Sequence, residues 1–220
     1  MNNLALAGLI IAAAAGLGGM AYWSYQAGKN RREALQQLAN EMRWTFSPQG
    51  DEGLLSALGG FSLLSRGHSR RMSNVLRGSA KDVPAAVFDY QYSTGSGKSR
   101  HTSHFTAACI GVSGPPLPRF TLRPEQFFDK VGDLVGFKDI DFESFPEFSK
   151  RYLLRGENEQ EVRRLFGTRA IGFIEKEAGL CMEGERDQLL VYRARRRLRV
   201  EEIRPLLDLG LRILALLNRQ

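Results

Sequence analysis

The stretch VPAAVFDYQYSTGSGKSRHTSHFTAACIGV, residues 83–112, contains two runs rich in β-branched and aromatic residues. Between them lies a turn rich in Gly and Ser, at residues 94–98. Such runs favour strands, and a short polar connection that contains glycine favours a β-hairpin between them. The segments FSLLSRG (residues 61–67) and MSNVLRG (residues 72–78) precede the hairpin and are predicted as further strands. The first half of the chain is therefore predicted to be mostly antiparallel sheet.

Helices are predicted to cover this sheet. A helix is expected from Pro124 to Gly136, because proline suits the first helical turn and apolar residues follow at helical spacing. Asn158 with Glu161 forms a capping box for another helix. After a second hairpin, a last helix is expected over residues 201–218. The prediction is an α+β domain over residues 44–220, and the recurrence of sheet followed by helix is compatible with two similar halves.

Outward from this domain, the N-terminal stretch LALAGLIIAAAAGLGGMAYW, residues 4–23, carries no charge. About 20 apolar helical residues span a hydrocarbon core of about 30 Å. The aromatic residues Tyr22, Trp23 and Tyr25 come where such a helix would leave the hydrocarbon, at the depth that amphipathic rings prefer. We therefore predict a transmembrane anchor over residues 1–28 and a juxtamembrane helix over residues 29–43. A cleaved signal peptide is the alternative, but no basic residue precedes the apolar run.

Basic residues predict the orientation of the anchor. None precedes the apolar run, whereas Lys29, Arg31 and Arg32 follow it closely. Cytoplasmic flanks carry the excess of Lys and Arg, so we expect the N-terminus outside, the domain in the cytoplasm, and the protein in the inner (plasma) membrane as a single-pass protein. Two cysteines, Cys109 and Cys181, are compatible with a reducing compartment, although two are also enough for one disulfide.

A stripe of small residues in the anchor indicates self-association. Gly8, Ala12 and Gly16 recur every four residues, a spacing that lets two membrane helices approach closely. A homodimer through this face is one predicted interaction. A membrane partner protein is the other.

The charge of the chain predicts a second contact with the bilayer. The net charge is +7 and the pI is about 9.7, and basic segments beside a membrane attract anionic head groups. We predict that the membrane-surface residues are Lys29, Arg31, Arg32, Arg193, Arg195, Arg197 and Arg199. The last four alternate, so a continuing strand would place them on one face; a charged edge strand that resists aggregation is the alternative reading. Nucleic acid is not favoured, because the sequence has no zinc-finger spacing or helix-turn-helix signature.

Motifs for chemistry are incomplete. TGSGKS (residues 94–99) resembles a phosphate-binding loop, but Tyr92 stands where its first glycine is required and the following residues favour a strand. No nucleophile elbow and no paired cysteines occur, so no catalytic residue and no cofactor are predicted.

One acidic cluster is the basis of an alternative function. Asp139, Asp141 and Glu143 alternate and would share one face of a strand, where carboxylates can hold a divalent cation. The calcium-loop pattern is broken by Ser144 and Lys150. The alternative is therefore a metal-dependent hydrolase that uses these carboxylates.

Three motifs resemble a family of bacterial single-pass membrane proteins of unknown activity: FDYQY (residues 88–92), LPRFTLRPE (residues 117–125) and DIDFESFPEFSKRYLLRG (residues 139–156). This resemblance covers most of residues 61–166. It implies a bacterial source and an anchored globular domain, and it implies no activity, cofactor or catalytic residue. Together with the residues above, it favours a membrane-anchored cytoplasmic domain that binds a partner protein or the membrane surface without catalysis.

Overall fold

Strand pairing decides the architecture, which we describe from a computed structural model. The structure describes the backbone of residues 3–127 and 137–217. Side chains are described from residue 19 onward within those ranges, except at residues 20, 21, 24 and 127.

The described residues form nine strands, namely β1 (Thr45–Ser47), β2 (His68–Ala80), β3 (Val83–Thr94), β4 (His101–Gly111), β5 (Leu117–Pro124), β6 (Lys138–Asp139), β7 (Tyr152–Gly156), β8 (Leu180–Arg186) and β9 (Gln188–Arg193). They join in one sheet in the order β1-β2-β3-β4-β9-β8-β5-β7-β6. Every neighbouring pair is antiparallel. The predicted α+β class with an antiparallel sheet is therefore confirmed.

The predicted hairpin is the centre of this sheet. β3 and β4 pair continuously from Ala85 opposite Ile110 to Thr94 opposite His101. β9 then pairs with β4 and joins the strands of the second half to those of the first. The halves differ in strand order, because β2, β3 and β4 are consecutive neighbours whereas β5 lies between β8 and β7. The strand order gives no support to two similar halves.

Seven α-helices are described, namely α1 (Asn3–Met42), α2 (Glu52–Ala57), α3 (Ser62–Ser65), α4 (Pro146–Arg151), α5 (Glu159–Leu165), α6 (Thr168–Ile174) and α7 (Ile203–Leu217). The predicted cap of α5 is present, since the Asn158 side chain accepts a hydrogen bond from the Glu161 N–H. Residues of α7 that face the sheet are buried, and Arg204, Asp208 and Arg212 form an exposed stripe on the other side.

The two faces of the sheet are covered differently. On one, the α1/α7 face, the C-terminal part of α1 and helices α4 to α7 pack over residues such as Val87, Ile110 and Val191. On the other, the α2/α3 face, the short helices α2 and α3 cover aromatic residues such as Phe88 and Tyr90. Successive side chains of a strand point to opposite faces, so the apolar run of β3 contributes to both cores.

Helix α1 changes character along its length. Leu35, Leu38 and Ala39 are buried against the sheet, so the apolar face of the predicted juxtamembrane helix packs on the domain. Trp23 is 76% exposed, and Tyr22 and Tyr25 are each 65% exposed. The side chains of residues 4–18, which make up most of the predicted anchor, lie outside the described residues. Among the side chains that are described, no helix combines the length and the apolar character that a membrane crossing requires.

Three predicted elements differ in the structure. FSLLSRG was predicted as a strand, but Ser62–Ser65 form α3, because a buried carboxylate accepts hydrogen bonds from the N–H groups of its first turn. The helix predicted from Pro124 has one described turn, Glu125–Phe127, and residues 128–136 lie outside the described residues. β9 ends at Arg193, so the alternating arginines that follow do not continue the strand.

Candidate functional site

The contact between α1 and the sheet is built around Asp89, a carboxylate on β3 whose side chain is 7% exposed. Arg31 of α1 binds both of its oxygens: Nε donates to Oδ2 at 2.8 Å, and Nη2 donates to Oδ1 at 2.7 Å. Paired N–H···O bonds from a planar guanidinium determine orientation as well as distance. Arg31 therefore holds α1 in one rotational setting on the sheet.

Three more side chains complete this helix–sheet junction. Arg197 Nη2 and Asn74 Nδ2 donate to Asp89 Oδ2 at 2.7 and 2.8 Å, and Thr106 Oγ1 donates to Oδ1 at 2.8 Å. Arg31 Nη1 also donates to the Leu198 carbonyl at 2.7 Å. The junction thus joins α1, three central strands and the segment after β9.

A β-bulge brings one of these donors to the site. The register of β2 against β3 shifts between Ser73 and Leu76, and Asn74 lies in the shift with a φ of 52°. Asn tolerates the left-handed region better than most residues. The bulge leaves the Asn74 side chain buried and aimed at Asp89.

The junction is ionised over the physiological range. Burial by itself raises the pKa of Asp89, but hydrogen bonds from Arg31 and Arg197 outweigh it and lower the pKa to about 2. An unfolded aspartate has a pKa of about 3.9. Because the folded-state pKa is depressed, the stabilisation is present above about pH 4 and is lost as the pH falls through about 2.

We expect Asp89→Asn to lower the free energy of unfolding by about 3 kcal/mol or more, because it leaves Arg31 buried without a countercharge. Denaturant unfolding of the full-length protein in mild detergent at pH 7 measures this. Asp82→Asn is the control, since Asp82 is exposed with a φ of 63° that Asn accepts. Equal losses in the two variants would contradict a stabilising role for the junction.

A second buried carboxylate, Glu183, lies on the α2/α3 face. Its Oε2 accepts from the Ser62 N–H at 2.6 Å and from Ser62 Oγ at 2.9 Å. Its Oε1 accepts from the Leu63 N–H at 3.1 Å and from the Tyr192 hydroxyl at 2.9 Å. Four donors and no described acceptor point at it, which is the arrangement that suits an ionised carboxylate. Glu183 thereby attaches α3 to the sheet.

Burial raises the pKa of the acidic groups at this site. Desolvation raises the pKa of Glu183, although the hydrogen bonds from Ser62 and Tyr192 oppose it. Desolvation likewise raises the pKa of Tyr192 and of the Cys181 thiol. The cavity beside Glu183 has a volume of about 10 Å³, which is room for at most one water molecule. The cluster is thus arranged for support of α3 rather than for substrate access.

Two buried tyrosines allow a matched test of the charge on Glu183. We expect Tyr192→Phe to cost about 2 kcal/mol at pH 8, because it removes a bond to a charged acceptor, and Tyr90→Phe to cost about 1 kcal/mol. The Tyr90 hydroxyl donates to the neutral Leu64 carbonyl at 3.0 Å.

Denaturant unfolding between pH 5 and pH 8 checks this prediction. Because the pKa of the Glu183 carboxyl is raised in the folded state, ionising this carboxyl lowers the free energy of unfolding as the pH rises. The Tyr192 hydroxyl donates to the ionised carboxylate, so its removal costs more at high pH. The Tyr192→Phe loss should therefore exceed the Tyr90→Phe loss more at the high end of the range. Equal losses at every pH would mean that Glu183 stays neutral.

The arginines predicted at the membrane surface have several environments. Arg197 is bound to Asp89, and Arg193 donates to Glu177 at 2.8 Å and to the Ala178 carbonyl. Arg199 lies within 3.3 Å of Glu201, and Arg195 also has an interaction. The structure thus distributes these residues over a turn rather than over one strand face, and their role at the membrane remains a prediction.

The basic residues at the start of the juxtamembrane helix are partly paired. Lys29 lies 3.8 Å from Glu33, Arg31 belongs to the junction, and Arg32 is exposed. Gly8, Ala12 and Gly16 lie outside the described side chains. Self-association through them remains a prediction.

The acidic residues considered for metal binding do not converge. Asp139, Asp141 and Glu143 are all exposed, and Asp139 is paired with Arg155. Across the described ranges, no three His, Cys, Asp or Glu side chains are grouped as a metal site would require. The hydrolase alternative therefore has no assembled site among these residues.

An open cleft of about 480 Å³ lies beside the junction, between the start of α7 and the segment after β9. Leu198, Leu206 and Leu209 provide its apolar lining. Its arginines are paired with carboxylates, Arg193 with Glu177 and Arg196 with Glu202. The cleft therefore combines an apolar lining with a rim of compensated charge.

Sequence reasoning missed both buried carboxylates. Asp89 is part of the FDYQY motif and points to the same face of the sheet as Val87, on a strand that is apolar on both faces. An acidic residue at such a position is the signal that could have found it, since buried carboxylates are almost always paired. Its partners could not be found in this way, because they come from distant parts of the chain.

Comparison with solved structures gives a fold match. The crystal structure of the mycobacterial trehalose monomycolate transport factor A, TtfA, is similar with a TM-score of 0.59 and 16% sequence identity. The similarity covers 86% of this chain and 93% of that one. No protein-family model matches the chain, and no curated protein matches it. At this identity the similarity shows the fold alone.

Proposed function

We propose that this chain is a membrane-anchored, non-catalytic factor whose domain lies at the cytoplasmic face of the inner membrane and assists a lipid transport machinery there. The observation that carries the proposal is the junction: Arg31, eight residues after Trp23, is bound through two hydrogen bonds to buried Asp89. A helix that enters the domain in this way transmits the orientation of the anchor to the sheet. Such rigidity is useful to a factor that must present one surface to a membrane partner.

The fold supports the transport part of the proposal. The similarity to TtfA covers 86% of this chain and 93% of that one. TtfA is described as a trehalose monomycolate transport factor. Applied to this chain, that description suggests an accessory role with a lipid cargo, which suits a domain tied to a bilayer better than the hydrolase alternative does.

The basic residues support the membrane part. β9 runs antiparallel to β4, and the Thr106 N–H donates to the Arg196 carbonyl beyond its end. The arginine segment 193–199 therefore lies toward the same end of the sheet as the β3–β4 turn. Lys29 and Arg32 lie on α1 close to where it leaves the sheet. We propose that these residues contact anionic head groups. We also propose that the small-residue face of the anchor joins two copies of the chain.

Reporter fusions test the topology. A reporter that is active only in the periplasm should give no signal when fused after Gln220, because the basic flank keeps the domain in the cytoplasm. The same reporter fused before Met1 is the control and should be active. Strong periplasmic activity after Gln220 would overturn the proposed orientation.

Depletion tests the function. In a host from which the protein is depleted, newly made cell-envelope glycolipid should accumulate in the inner membrane, and a wild-type copy should restore its transfer. Pulse labelling followed by separation of envelope fractions measures the distribution. An unchanged distribution after complete depletion would refute the transport role while leaving the topology intact.

A further inference from the structure

One end of the sheet is strongly basic. We call it the basic tip; it comprises the start of β2 and the β3–β4 turn. Its basic residues are His68, Arg70, Arg71, Lys98, Arg100, His101 and His104, which include all three histidines of the chain. Between Gly53 and Glu125 the only acidic residues are Asp82, at the far end of β3, and Asp89, inside the junction. The strands of the tip therefore carry no carboxylate that could neutralise it.

The tip is ordered as well as exposed. The turn is closed by glycines at positive φ, Gly95 at 69° and Gly97 at 55°. A ring nitrogen of His68 lies 2.9 Å from the Gly95 carbonyl, and the Arg100 guanidinium donates to Ser93 Oγ at 3.3 Å. Lys98 is exposed at the apex. The charges are thus presented on a defined surface rather than on a loose loop.

Helix α1 runs antiparallel to β3. Arg31 is bound at Asp89, in the middle of the strand, whereas Trp44, just after the helix, donates to the Ser79 carbonyl. Ser79 pairs with Pro84, at the start of β3. The N-terminal direction of α1, from Trp44 to Arg31, is therefore the direction of β3 toward Thr94. The basic tip lies at that end of β3.

The rise per residue of a strand and of a helix shows which residue of α1 lies beside the basic tip. From Asp89 to Thr94 the strand advances five residues, or about 17 Å. A helix covers that distance in about 11 residues, which leads from Arg31 back to about residue 20 of α1. Tyr22, Trp23 and Tyr25, the exposed aromatic residues of α1, lie two to five residues from this level, on the side nearer the domain.

We propose that the basic tip is a second membrane contact, at which the β3–β4 turn and the start of β2 bind anionic lipid head groups beside the anchor. The proposal deepens the proposed function and rests on the membrane anchoring stated there. Aromatic side chains of a membrane helix lie at the head-group level, and the tip lies close to that level with its basic side chains exposed. An anionic leaflet attracts such residues within a Debye length of about 8 Å.

The experiment uses the full-length protein in nanodiscs. A Ser96→Cys variant carries a fluorophore at the tip, and Ser113→Cys carries it beyond the opposite end of β4; Cys109 and Cys181 are buried and stay unlabelled. The nanodiscs contain a phosphatidylcholine with a nitroxide on its head group, with or without phosphatidylglycerol. We expect quenching at Ser96 in the anionic nanodiscs and little at Ser113.

Charge reversals identify the residues responsible. Lys98→Glu with Arg100→Glu should reduce quenching at Ser96 at least about twofold, as should about 1 M salt, which shortens the Debye length to about 3 Å. Arg164→Glu with Arg169→Glu is the matched control: it makes the same change in net charge on exposed residues of α5 and α6 and should have no effect.

Each remaining outcome counts against one statement. If the protein fails to enter nanodiscs, the anchoring in the proposed function is wrong. If it enters but Ser96 is not quenched, or is quenched equally without phosphatidylglycerol, or responds equally to both charge reversals, the basic tip is not a lipid contact. If the Ser96 probe responds to a single-stranded RNA and not to anionic lipid, the tip binds nucleic acid and the proposal is wrong.

Discussion

The bond between Arg31 and Asp89 is the constraint on which the arrangement of this molecule depends. A carboxylate in the middle of a sheet is tolerated only if its charge is compensated, because an isolated buried ion costs several kcal/mol. Here the compensation comes from α1 and from the segment after β9, together with hydrogen bonds from Asn74 and Thr106. The sheet is thus complete only when the first helix is in place, which couples the position of that helix to the folding of the domain.

Asp89 and Glu183 show how the same group behaves differently on the two faces. Both are buried, but two guanidinium groups touch Asp89 and lower its pKa, whereas Glu183 receives hydrogen bonds from neutral groups and its pKa is raised. The neutral donors orient Glu183 without cancelling its desolvation. One carboxylate therefore attaches a long helix by charge, and the other attaches a short helix by hydrogen bonds to its first turn.

These attachments give the domain a polarity. α1 leaves the sheet at the end where β3 and β4 turn, and the arginine segment after β9 lies toward that end as well. Pairing within the segment removes much of its charge, whereas the hairpin turn keeps its own. The domain is therefore held by one long helix and carries its exposed basic residues at one end.

The sequence by itself determined the local structure and the class. The composition and turn chemistry of residues 83–112 predicted the central hairpin, the capping box at Asn158 predicted α5, and a juxtamembrane helix was predicted over residues 29–43. These predictions hold because they depend on neighbours within a few residues. The same reasoning assigned Arg31 to the basic residues after the anchor and Arg197 to the alternating arginines near the C-terminus, and it did not connect the two.

Only the tertiary structure decided what those residues contact. Asp89 meets Arg31 and Arg197 across 58 and 108 residues of sequence, a separation at which no periodicity in the chain records the contact. FSLLSRG became α3 for the same reason, because the cap for its first turn is Glu183, 121 residues away from Ser62. Local propensity is weak compared with a buried carboxylate that needs its hydrogen bonds, and the position of that carboxylate is known only once the sheet has formed.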